Sequence, residues 1–136
     1  MSMHPKELET TMQLPAKKCY DYFIKKIVDF EEVWSLRNEK GWVMSEDDYR
    51  VPQLHFWPTE EHAAYCAIDQ WEKTVPEMID LDDFIEEWLP GMLADGINPS
   101  IFYNRNNSVS IEIQTLKEDI EEELKTTSST RVEVVV

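Results

Sequence analysis

His62 and Cys66 stand four positions apart, a spacing that puts both side chains on one face of a helix. An imidazole beside a thiolate is half of a tetrahedral metal site. The other half is missing, because no second Cys/His pair has ligand spacing, and Cys19 and His55 would have to converge by folding. A histidine at a helix start above a core cysteine accounts for the same pattern without further ligands. That assignment is preferred, and neither a metal nor another cofactor is expected. His55 alternates with Leu54 and Phe56 on a strand, so it belongs to one face of a sheet. His4 lies in a polar leader.

Carboxylates offer a second route to chemistry. Glu46-Asp47-Asp48, Asp80-Asp82-Asp83 and Glu86-Glu87 are clustered, and a carboxylate pair does acid/base work when its environments push the two pKa values apart. With 28 acidic residues among 136, however, adjacency is uninformative. No cluster has the alternating oxygen ligands, glycine and distal glutamate of a calcium loop. There is also no G-x-S-x-G elbow, P-loop or G-x-G-x-x-G. No catalytic residue is assigned, and the chain is read as leaning away from an enzyme.

Aromatic residues carry the remaining signal. Trp34 and Trp42 flank a turn at Asn38–Gly41, Trp57 ends a strand, and Trp71 and Trp88 fall on helical segments. Core packing explains most of them, yet Trp and Tyr also dominate interaction hot spots. Trp42, Tyr49 and Trp57 would form a binding surface if the helices left them uncovered. With His55 and His62 they make up the candidate surface.

The elements that must position these residues follow from periodicity. Leu14-Pro15 opens a helix from about Ala16 to Asp29, with Cys19, Phe23, Ile27 and Phe30 on its apolar stripe. Lys17, Lys18, Lys25 and Lys26 lie on its other sides. Glu32–Arg37, Trp42–Ser45 and Val51–Phe56 read as a three-stranded antiparallel meander, with Gly41 supplying the positive φ of the first turn. Thr59 caps a helix reaching about Trp71 that buries Ala64, Ile68 and Trp71. A connector over 74–79 with a short strand follows. The next helix, capped by Asp80 or Asp82, buries Phe84, Ile85, Trp88 and Leu89, is broken or kinked at Pro90-Gly91, and ends at Gly96. Ser100–Asn104 and Val109–Thr115 read as strands joined by a turn at Arg105-Asn106-Asn107. Thr115-Leu116-Lys117-Glu118 is a capping box for a last helix.

The expected architecture is a single α+β domain, a mostly antiparallel sheet packed with helices. Residues 1–13 form a flexible leader, 14–125 the domain, and 126–136 a tail whose VEVVV could add a strand to a sheet edge, in the same chain or a second copy. Cys19 and Cys66 fall on apolar helix positions and read as buried thiols.

Charge restricts the partners. Thirteen basic against 28 acidic side chains leave −15. Such a field repels phosphate backbones and anionic membranes and steers a basic protein inward. No stretch approaches the roughly 20 apolar residues of a membrane span, and the N-terminus has no signal-peptide core, so a cytoplasmic location is expected.

The segments YDYFIKKIVDFEEVWSLRNEKGW, LHFWPTEEHAAYC and DLDDFIEEWLPGMLADGI resemble a small bacterial family, the domain of unknown function DUF2750. The resemblance covers roughly Cys19 to Leu124 and implies no activity, so no residue inherits a role from it. The functional expectation is a non-enzymatic acidic protein-interaction domain, with an immunity or antitoxin-like role as one form. The alternative is a small-molecule or enzymatic cleft near His55, Trp57 and His62.

Overall fold

Pro5–Thr11, part of the expected flexible leader, is a helix (α1) in the computed structural model of the chain, which describes residues 4–104 and 108–135, with side chains through 126. His4 caps it by accepting a hydrogen bond from the Lys6 amide, and Pro5 occupies the first turn, where its missing N–H costs nothing. The leader is held because Thr11 and Met12 are buried. Helix α2 (Ala16–Phe30) buries Cys19, Phe23, Ile24, Ile27 and Val28. Phe30 departs from the expected stripe. It is 59% exposed in the last turn before Glu31, which takes a left-handed cap conformation (φ 57).

The expected meander is divided between two sheets. Strands β1 (Glu32–Asn38), β2 (Gly41–Trp42) and β5 (Val75–Asp80) form one, in the order β2-β1-β5. Strands β3 (Met44–Glu46), β4 (Pro52–Phe56), β6 (Asn98–Ile101) and β7 (Val109–Ser110) form the other, in the order β3-β4-β6-β7. The returning strand splits at buried Val43, whose amide still bonds Leu36 O at 2.9 Å while Met44 begins pairing with β4. Reciprocal backbone bonds between Trp34 and Trp57, 3.0 and 2.8 Å, join the sheets. All pairings are antiparallel except β4 with β6.

These bonds also explain a proline in a strand. Trp34 bonds Trp57 through both its N–H and its C=O, and the Leu36 C=O accepts from Val43, each directed away from β5. Their partners across β1–β5, Met78 and Pro76, therefore sit at non-bonded ladder positions, where no donor is required of Pro76.

Helix α3 (Glu60–Tyr65) is shorter than expected. Thr59 caps it as read from the sequence, but it stops at Cys66. A 3-10 turn at Asp69–Trp71 follows, entered through Asp69 at φ 55. Its buried face carries His62 and Ala63 with Cys66, whereas Ala64 and Ile68 are exposed. Pro90 does not break the following helical run. Helix α4 (Leu81–Asp83) leads into a π-turn (Phe84–Trp88), where the Leu89 amide reaches back five residues to Phe84 O, and α5 (Leu89–Asp95) continues. The wider turn accommodates a ring that has no N–H and would crowd the carbonyl four residues back. Gly96 ends α5 in the left-handed cap conformation that glycine adopts freely (φ 70).

Two C-terminal expectations are corrected. The alternation from Val109 gives only a two-residue β7, because Ile113 already opens α6 (Ile113–Val135) and forms a helical stripe with Leu116 and Ile120. The polar spacer and the tail up to Val135 are helix rather than an added strand. Elongating a formed helix gains one hydrogen bond per residue, while a strand needs an open edge to meet it. The turn expected at 105–107 lies outside the described residues. A single α+β core lies between the sheets and the helices, with α2 packed on α6 and β1, and α5 on α6 and β6.

Candidate functional site

Three of the five residues read as a candidate surface are inside the protein. Trp57 and His62 are fully buried and His55 is 5% exposed. Trp57 Nε1 donates to Tyr103 O at 2.9 Å. The His55 ring is tilted 26° from the Trp57 plane at 6.2 Å and lies 4.9 Å from Trp71, measured between centroids, and its Nε2 is 2.7 Å from Ser45 Oγ. Burial lowers the His55 pKa from 6.5 to about 4, so the ring is neutral at pH 7. Its Nδ1 has no hydrogen-bond partner among the described residues. A base acting on Ser45 would need a group there to orient it, and the described residues supply none.

His62 belongs to a different layer. Its Nε2 meets Thr11 Oγ1 at 2.7 Å and its Nδ1 meets Thr59 Oγ1 at 2.6 Å, while Tyr22 and Phe102 pack edge-on against the ring. Burial again moves the pKa to about 4, partly opposed by the charges of Glu7 and Glu61. With both nitrogens used and no exposure, His62 is a structural residue. Cys66 is not its metal-binding partner, because the Cys66 thiol donates to Tyr103 O at 3.2 Å. Among the described residues no group of three or more His, Cys, Asp or Glu converges to hold a metal ion. His55 and Trp57 thus pack with Trp71, and His62 packs with Tyr22 and Phe102, all three of them buried.

Tyr49 is 89% exposed at the tip of the β3–β4 connection, where Asp47 Oδ1 accepts from the Tyr49 and Val51 amides. Trp42 is half-buried. Arg37 lies 4.9 Å above its ring, and Trp88 meets it edge-on at 4.8 Å. The Trp42–Trp88 pair leads to the surface feature that the sequence reading missed.

Trp88 lines an open groove of about 340 Å³ between α5 and β4. Its apolar wall is Leu54, Trp88, Met92 and Ile97. Its charged residues are Glu87 and Asp95, and Gly91 lies between them at four-residue spacing. A second hollow of about 240 Å³, lined by residues including Lys40, Trp42, Gln70 and Trp71, opens beside the β1–β2 turn. The 87–91–95 spacing was visible in the sequence. It marks one face only if the helix passes through Pro90, which the π-turn allows and which the expectation of a break or kink left open.

The fold and surface define an acidic α+β domain with a closed aromatic interior and an open, acid-edged groove. The chain belongs to the family described as protein of unknown function (DUF2750), which it matches over residues 20–120. A comparison with curated proteins finds no match. No helix among the described residues is long and apolar enough to cross a membrane.

Proposed function

We propose that this chain is a non-enzymatic protein-interaction domain that binds a basic segment of a partner protein in the groove along α5. The observation that carries this reading is the lining: an apolar wall whose charged neighbours, Glu87 and Asp95, are both acidic. Apolar contact would supply most of the affinity, and the carboxylates would select lysine or arginine on the partner. The net charge of −15 adds long-range steering of a basic protein and disfavours nucleic acid and anionic lipid. Neutralisation of a basic toxin, as an immunity or antitoxin-like protein in the bacterial cytoplasm, is one form of this role. Two buried cysteines outside any disulfide are in keeping with that compartment.

The test is affinity capture with the wild-type chain and with a Glu87→Lys/Asp95→Lys variant, followed by binding of each purified captured protein at low and high salt. A basic protein held by the wild type, lost by the variant and weakened by salt is the expected result. Capture that the variant retains, or affinity indifferent to salt, would overturn the reading.

A further inference from the structure

Gly91 is a residue that packing among the described residues does not require. It lies within α5, in ordinary helical backbone, where glycine is the least suitable residue after proline. Among the described residues a Cβ built at this position meets nothing within 4 Å, so none of them demands its absence. The bare position faces the groove, four residues from Glu87 and four from Asp95, beside Trp88 and Met92.

Resting on the groove reading above, we infer that Gly91 is the crossing point for an amphipathic basic helix of the partner, whose backbone lies against α5 where no side chain intervenes. A helix without a Cβ at the contact admits a second helix at closer range than any other residue allows. The two carboxylates are about 12 Å apart along the axis, from eight residues at about 1.5 Å each. The partner helix therefore presents Lys or Arg about two turns apart, with Leu- or Met-sized side chains between them directed at Leu54, Trp88 and Ile97. Glycine weakens α5 locally, and in this assignment the lost helix stability is exchanged for access.

The full chain, labelled for NMR, is titrated with a synthetic amphipathic helix of leucine and lysine. Two controls accompany it: the same composition with a central proline, and the peptide with glutamate replacing lysine. The expected result is shifts at Leu54, Trp88 and Ile97 with the first peptide and much weaker binding of both controls. Gly91→Ala should melt about 2–4 °C higher, as Gly-to-Ala changes in helices do, and bind the peptide about tenfold more weakly. Gly91→Ala binding as tightly as wild type would overturn the crossing-point inference and leave the acidic groove intact. Equal binding of the proline peptide would replace the helix with an extended segment and overturn it as well. Shifts that avoid the groove would overturn the groove reading itself.

Discussion

Thr11 Oγ1 lies 2.7 Å from His62 Nε2 across 51 residues of sequence, and this contact ties the N-terminal helix to the core. The surrounding bonds determine the tautomer. Thr11 Oγ1 is 2.7 Å from Glu7 O and uses its proton there, so it accepts from His62 Nε2–H. Thr59 Oγ1 accepts from the His62 amide at 3.1 Å and donates its own proton to Nδ1. Beside this pair, Tyr22 donates to Glu7 at 2.6 Å and Lys26 approaches the same carboxylate at 3.3 Å. The Tyr22 bond is the main reason that the Glu7 pKa lies below its usual value.

Thr11→Val keeps the shape of the side chain and leaves the His62 Nε2–H buried without an acceptor. A loss of about 1–3 kcal/mol is expected, with little change in the urea m-value. Urea titration of the two proteins checks this. Equal midpoints would mean that α1 is not anchored through His62.

Stability should fall as the pH drops from about 6.5 towards 4. Both His55 and His62 have folded pKa values of about 4 against 6.5 when free, so the unfolded chain binds more protons throughout that window. Their contribution is complete above the unfolded pKa and is lost on acidification. The two together should cost about 2 kcal/mol between pH 6.5 and 5.5, a range in which most carboxylates remain charged. Urea midpoints measured at those two pH values decide it, and a flat profile would contradict the burial of the two rings.

Two buried serines should respond with different signs. Ser35 Oγ donates to His55 O at 2.7 Å, so Ser35→Ala should cost about 1 kcal/mol. Ser100 Oγ is buried without a hydrogen-bond partner among the described residues, beside His55 in the β4–β6 register. Removing it removes an uncompensated polar atom, so Ser100→Ala should be neutral or stabilising by up to about 1 kcal/mol. Comparable losses in both variants would refute the distinction.

Cys19 and Cys66 should resist a thiol reagent in the native protein and react promptly in urea. Both are buried and bonded to backbone oxygens, Cys19 to Leu14 O at 3.3 Å, and burial raises the Cys19 pKa. The rate with a chromogenic disulfide at pH 8 reads this out. Native reaction as fast as that of the unfolded chain would show that α1 opens readily over Cys19.

Much of the fold was legible because local rules agreed with tertiary demands. The α2 stripe from Cys19 to Ile27, the Thr59 cap, the turn before Gly41 and the Gly96 stop each follow from a few neighbouring residues. The site was much less legible. Trp57 and His62 look alike in sequence to surface aromatics and helix-start histidines, and only contacts from Tyr103, Thr11 and Phe102 bury them.

The sequence by itself determined the α+β class, the acidic field, the Thr59 cap and the absence of a familiar catalytic motif, since these depend on composition and short spacings. The tertiary structure alone decided which sheet each half of the 41–46 segment joins, that α1 is anchored, and that the helix passes Pro90 to place Glu87, Gly91 and Asp95 in one groove. Each of those outcomes rests on contacts between distant segments or on a choice between nearly equal backbone paths. Propensity and periodicity, which are sums over neighbours, cannot encode either.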